Sequence, residues 1–171
     1  MQNYNILVVD DDIDITEIIS LYLSNAGYNV YTANNGKRTL EIIENTHLDL
    51  IILDIMLPDF DGINLCKKIR QVLFCPIIFI SCMDEEEYIL RALKLGGDDY
   101  ITKPFNSKEL VARVEANLRR IQYDKKLDKN ISKKVFINDL VIDTENHVLI
   151  KNNKHIYLSP IEYSILIYMI N

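Results

Sequence analysis

Three carboxylates, Asp10, Asp11 and Asp54, stand where apolar runs end: Ile6 to Val9 leads into Asp10-Asp11-Asp12, and Leu50 to Leu53 leads into Asp54. Runs of this length are short for a helix and suit strands buried on both faces of a parallel sheet. In an open α/β sheet, reacting groups gather outside the carboxyl ends of the strands, where these side chains fall. Carboxylates brought together repel one another unless a cation sits among them. A small set of oxygen ligands fits Mg²⁺, which keeps part of its water shell and shares the rest with phosphate. Ser81 closes a further apolar run that starts at Ile77, and Lys103 follows the short run Tyr100 to Thr102. A hydroxyl and an ammonium therefore reach the same edge. The five residues together describe a pocket for a phosphoryl group on Asp54, with the carboxylate as nucleophile, Mg²⁺ and Lys103 neutralising charge, and Ser81 donating to a phosphoryl oxygen.

The elements that must position these groups alternate. Between the first and third strands, Val30 to Ala33 reads as a strand, and helical patterns follow every strand. Ile15, Ile18, Ile19, Tyr22 and Leu23 recur at helical spacing after the first strand, with Gly27 as the stop. Leu40, Ile43 and His47 mark one face of the second helix, and Leu65, Ile69 and Leu73 the inward face of the third, which opens after the turn Pro58 to Gly62. The acidic group Asp84 to Glu87 starts the fourth, with Ile89, Ala92 and Leu93 inward and Gly96-Gly97 at its end. Asn106 and Glu109 resemble a capping box before a last helix with Leu110, Val111, Val114, Leu118 and Ile121 on one face. Five βα units predict an α/β fold, a doubly wound five-stranded parallel sheet with helices on both sides. His47 reads as a packing or surface residue, and Cys82 as a small buried filler.

The chain has 171 residues, 49% hydrophobic and 26% charged, enough for one full domain and part of a second. No apolar run approaches the roughly 20 residues of a membrane span, and the start Met-Gln-Asn-Tyr-Asn lacks the pattern of a signal peptide, so a cytoplasmic protein is expected. Cys66, Cys75 and Cys82 form no CxxC and cannot all pair, which argues for reduced thiols and against a disulfide framework or zinc site. Residues 1–123 carry 19 acidic and 12 basic side chains, residues 124–171 carry 6 and 7. Such an acidic front half does not bind nucleic acid by itself. Residues 124–134 are polar without apolar period and read as a linker between a domain over 1–123 and a second over 135–171. In the second, Phe136, Leu140 and Ile142, then His147 to Ile150, then His155 to Leu158 read as short antiparallel strands, separated by turn signals at Glu145-Asn146 and Asn152-Asn153. Ser159-Pro160-Ile161-Glu162 opens a helix that has begun when the chain reaches Asn171.

Val8-Val9-Asp10-Asp11-Asp12, Leu53-Asp54-Ile55-Met56-Leu57-Pro58 and Gly97-Asp98-Asp99-Tyr100-Ile101-Thr102-Lys103-Pro104-Phe105 resemble the receiver domain of two-component response regulators, over about residues 3–121. Residues 135–170, with Leu158 to Glu162, resemble the start of the winged-helix effector of the OmpR/PhoB family, so the second domain is an incomplete winged helix: a small antiparallel platform and the start of one helix. The resemblance implies that Asp54 takes its phosphoryl group from a sensor histidine kinase. It implies that Asp10, Asp11, Asp54 and the Met56 carbonyl serve Mg²⁺, and that Lys103-Pro104 is a cis peptide. Ser81 and Tyr100 would be the switch pair, Ser81 drawn inward by the phosphoryl group and Tyr100 filling the space it leaves. Relatives dimerise on phosphorylation through ion pairs on the face of helix four, strand five and helix five. Asp99, Glu109 and Arg113 fit that face; Ile89, where relatives carry a basic residue, departs from it, and Arg91 or Lys94 could take that role.

Met56 and Met83 stand two residues after the phosphoacceptor and the switch hydroxyl, and neither thioether orients an attacking water, so slow loss of phosphate is expected. Such a protein assists its own phosphorylation and dephosphorylation and is not otherwise an enzyme. A phosphatase like the haloacid dehalogenases would need an aspartate where Met56 stands. No recognition helix precedes Asn171, so binding of promoter DNA is expected only of a chain with a complete effector. The alternative is a naturally short receiver, a stand-alone phosphoacceptor or protein-interaction module.

Overall fold

The computed structural model describes residues 4–128, 134–137, 140–143, 148–151, 154–157 and 160–170. The chain divides into two compact units, Met1–Leu118 and Arg119–Asn171. The first holds β1 (Asn5–Val9), α1 (Ile13–Asn25), β2 (Asn29–Ala33), α2 (Gly36–Asn45), β3 (Leu50–Asp54), α3 (Gly62–Ile69), β4 (Ile77–Ser81), α4 (Glu86–Lys94), β5 (Asp99–Thr102) and the start of α5 (Ser107–Asp128). Its five strands are parallel in the order β2-β1-β3-β4-β5. This is the doubly wound α/β fold expected from the alternation, and the direction of winding reverses between β1 and β3.

The three central strands are buried almost throughout because helices cover both faces. One set of alternate residues, including Leu7, Val9, Ile51, Leu53, Ile77 and Phe79, packs with Ile42 of α2, Ile63 and Ile69 of α3, and Ala92 of α4. The other set, Ile6, Val8, Leu50, Ile52, Ile78 and Ile80, is left for α1 and α5, whose buried residues include Ile19, Leu23, Leu110, Val114 and Leu118.

Several helix faces differ from the periodic reading. In α1 the buried residues are Thr16, Ile19 and Leu23, whereas Ile18 and Tyr22 are exposed. Apolar residues lie all round α1, so period alone does not choose its face. Thr16 tolerates burial because its hydroxyl donates to the Ile13 carbonyl at 2.8 Å. The helix ends as expected at Gly27, φ 90°, where the Tyr28 amide donates to Leu23 O and the Gly27 amide to Ser24 O. In α4 only Ala92 is buried, and Leu93 is exposed. Asn106 caps α5 by accepting from the Lys108 amide at 2.8 Å, but Glu109 turns to Arg113 and leaves the capping box half made. His47 is a surface residue beside Asp49. Cys82 is exposed, against the expectation of a buried filler.

α5 runs on to Asp128, through five of the residues read as linker. Once a helix is nucleated, a polar stretch of good helix formers extends it without an apolar face. In the second unit, β6 (Lys134–Ile137), β7 (Leu140–Asp143), β8 (Val148–Lys151) and β9 (Lys154–Tyr157) form an antiparallel sheet in sequence order, followed by α6 (Pro160–Ile170). The first apolar group thus divides into two strands on either side of residues 138–139, so the sheet has four strands. The turn signals at 144–147 and 152–153, the cap at Ser159 and the side chain of Ile121 lie outside the described residues. In α6, Ile165, Tyr168 and Met169 are exposed.

Candidate phosphoacceptor site

The register of the parallel sheet brings the site together. Val9 pairs with Leu53, so the next residues, Asp10 and Asp54, leave adjacent strands at one level. Ser81 closes β4 beside them, and the Lys103 amide donates to Ser81 O at 2.8 Å. Lys103 Nζ lies 2.6 Å from Asp10 Oδ2 and 2.6 Å from Asp54 Oδ2. The other carboxylate oxygens are held by the backbone: Asp10 Oδ1 accepts from the Asp12 amide at 3.0 Å and Asp54 Oδ1 from the Met56 amide at 3.1 Å. Asp12 caps α1, accepting from the amides of Asp14 and Ile15.

Asp10 is 1% exposed and Asp54 5%, while Asp11 is exposed. Burial pushes the Asp10 carboxyl above its ordinary value, outweighing the hydrogen bonds from Lys103 and the Asp12 amide that pull it down. Burial also works against the Lys103 charge, but the hydrogen bonds to Asp10 and Asp54 prevail and hold the ammonium above its ordinary value. Carboxylate oxygens of Asp10, Asp11 and Asp54 lie within 4.8 Å of one another. Three carboxylates face one ammonium, and the donor set is oxygen alone, which suits a hard divalent cation that keeps some of its water.

Ser81 is wholly buried, and its Oγ accepts from the Met83 amide at 3.4 Å. Tyr100 is 9% exposed with its ring turned inward, and its hydroxyl donates to Met83 O at 2.6 Å. Burial raises the Tyr100 phenol above its ordinary value, and the hydrogen bond with Ser81 opposes the rise. Ser81 and Tyr100 therefore share the loop after β4. The Lys103-Pro104 bond is cis. Asp99, Glu109 and Arg113 come together within the chain: Arg113 reaches Asp99 at 2.9 and 3.0 Å and Glu109 at 2.9 Å. A separate open cleft of about 820 Å³ between α1 and α2, lined by Ile13, Ser20, Asn35 and Lys37 among others, does not include Asp10, Asp11 or Asp54.

Residues 6–115 match the model of the response regulator receiver domain. The chain belongs to the response regulator receiver family. It is 41% identical over 161 residues to the regulatory protein VanR of Enterococcus faecium, an alignment covering 94% of this chain and 70% of that protein. Among solved structures, a two-component response regulator from Clostridium difficile is 41% identical with a TM-score of 0.68, covering 70% of this chain and 98% of that one. The beryllofluoride-activated receiver domain of RstA from Klebsiella pneumoniae is 34% identical, TM-score 0.65, covering 67% of this chain and 98% of that one. In this receiver the strand-end residues Asp10, Asp54, Ser81 and Lys103 were legible from apolar runs that stop on polar groups. Two anchors carried no such signal. Asp59 accepts from the Gly36 and Lys37 amides at 2.8 and 3.0 Å. Arg70 donates to Gly96 O, Cys75 O and Asp98. Both join segments far apart in sequence, where no period points.

Proposed function

We propose that this receiver takes a phosphoryl group onto Asp54 from a sensor histidine kinase and thereby controls transcription as an OmpR/PhoB-type regulator. The observation that carries this reading is Lys103 Nζ at 2.6 Å from both Asp54 and Asp10, beside the buried Ser81 hydroxyl. Asp10, Asp11, Asp54 and the Met56 carbonyl would hold Mg²⁺. Bound there, the ion would offset charge on the phosphoryl oxygens. An Asp54 oxygen attacks phosphorus, an O–P bond forms, and the N–P bond to the kinase histidine breaks with its electrons leaving on the imidazole. Lys103 stays protonated throughout and neutralises charge next to the attacking oxygen. Ser81 donates its hydroxyl to a phosphoryl oxygen, which weakens its hold on the Met83 amide and so alters the loop that Tyr100 grips.

Neither Met56, which is 61% exposed, nor Met83 can position a water for hydrolysis, so the acyl phosphate is long-lived. The output reading is supported by the four-stranded antiparallel sheet followed by α6, the order of elements that the resemblance to a winged-helix effector implies, and by the regulatory protein VanR as a relative. Promoter DNA is a partner of a chain with the complete effector. Among the described residues no helix is long and apolar enough to cross a membrane.

The test is incubation with acetyl phosphate and Mg²⁺ followed by intact-mass measurement and peptide mapping. One phosphoryl group on Asp54, lost on chelating the metal beforehand and absent from Asp54→Asn, is expected. Unmodified wild-type protein under these conditions and with a panel of histidine kinases would sink the reading.

A further inference from the structure

The loop between β3 and α3 carries the Met56 backbone, and it is gripped from outside the site. On the inner side the Met56 amide donates to Asp54 Oδ1 at 3.1 Å, Met56 bridges to Asp61, and the Gly62 amide donates to Ile55 O at 2.8 Å. On the outer side the Asp59 carboxylate spans two free amides at the start of α2, Gly36 at 2.8 Å and Lys37 at 3.0 Å. The contact is close. A Cβ at Gly36 would lie 2.4 Å from the Phe60 ring, and Lys68 Nζ sits 4.6 Å above that ring from the α3 side. Asp59 and Phe60 are thus wedged between α2 and α3, three and four residues from Met56.

Asn35 caps the same helix through the Arg38 amide at 2.8 Å. The side-chain hydrogen bonds of Asn35, with the Arg38 amide and with Asn34, are local to the start of α2. Asp59 is not required merely to finish the helix; it ties the helix to the loop.

We infer that Asp59 is a positioning residue of the phosphoacceptor site: by clamping the β3–α3 loop onto the N-terminus of α2 it fixes the Met56 backbone that faces Asp54. The inference rests on the phosphoacceptor reading above. Loosening the clamp lets the loop and the Met56 carbonyl wander, and a metal ligand that must be immobilised on binding binds more weakly.

Two alanine variants separate positioning from helix capping. Mg²⁺ affinity is measured by calorimetric titration of the whole chain, with Tm recorded in parallel, for wild type, Asp59→Ala and Asn35→Ala. Both variants lose a cap of α2, so both are expected to melt at lower temperature. Only Asp59→Ala is expected to bind Mg²⁺ more weakly, by about tenfold as for other residues that orient metal ligands. Asp59→Asn, which keeps one acceptor oxygen, is expected to lose less in the same direction and serves if the alanine variant does not fold. Wild-type affinity in the Asp59 variants, or an equal loss in Asn35→Ala, would overturn the clamp while leaving the site intact. A wild-type chain that takes up no Mg²⁺ would overturn the reading of the site, and the clamp with it.

Discussion

Lys103 decides the electrostatics of the site. It is the ammonium between two carboxylates that are almost wholly buried, and removing one partner of such a group leaves charge without compensation. Lys103→Met is expected to destabilise the metal-free protein by about 3 kcal/mol in urea unfolding, with part of the loss recovered on adding Mg²⁺. An unchanged midpoint would show that the carboxylates do not depend on it. The thiols give a second residue-level prediction. Burial pushes the Cys66 thiol up to about 11 and the Cys75 thiol up to about 12, against an opposing pull from Arg70. Each holds its proton more tightly in the folded state than at its ordinary 9.0, so this contribution to stability is complete below pH 9.0 and is lost as pH rises through the folded values. Iodoacetamide at about pH 8 should therefore alkylate exposed Cys82 and spare the other two until the protein unfolds. Early labelling of Cys75 in folded protein would contradict this.

At the level of elements, the strand ends and helix starts do the positioning. A Cβ at Gly62 would fall 2.2 Å from Asp54 O and 2.6 Å from Ile55 Cα, both backbone atoms with no room to yield. Gly62→Ala is expected to displace the end of β3 and abolish phosphorylation of Asp54, even in molecules that still show native far-UV dichroism. Normal phosphorylation would mean the backbone can shift without disturbing the carboxylate. The sequence made such elements legible where apolar runs stop abruptly: β3 and β4 each end on a group of the site, and β1 runs directly into one. It was ambiguous where apolarity surrounds a helix, as in α1, whose inward residues are Thr16, Ile19 and Leu23. It misled where a helix needs no apolar face, as at residues 124–128 of α5. Asp59 could not be foreseen, because its partners lie 22 and 23 residues away in a different βα unit.

For the whole molecule, the dimer that the resemblance implies must be argued from what the face already spends within one chain. Arg113 neutralises Asp99 and Glu109 in cis, so ion pairs to a second copy exchange partners rather than add them. Apolar surface on α4, where Leu90 is 45% exposed and Leu93 37%, is then expected to supply the larger favourable part. Beryllofluoride with Mg²⁺ is expected to shift sedimentation from monomer to dimer, with only a shallow dependence on salt, and Leu93→Ser is expected to weaken the dimer more than high salt does. Loss of the dimer on raising salt alone would restore the ion pairs to the leading role. The exposed Met56 beside Asp54 has its own consequence at this scale, in time rather than in space. A regulator that cannot quickly erase its own phosphoryl group averages its input: brief flickers of kinase activity accumulate, and the output decays on a clock set by whichever phosphatase the cell supplies. If the proposed slow hydrolysis holds, the signal stored in this way would outlive the stimulus, and the site would work as a memory as well as a receiver.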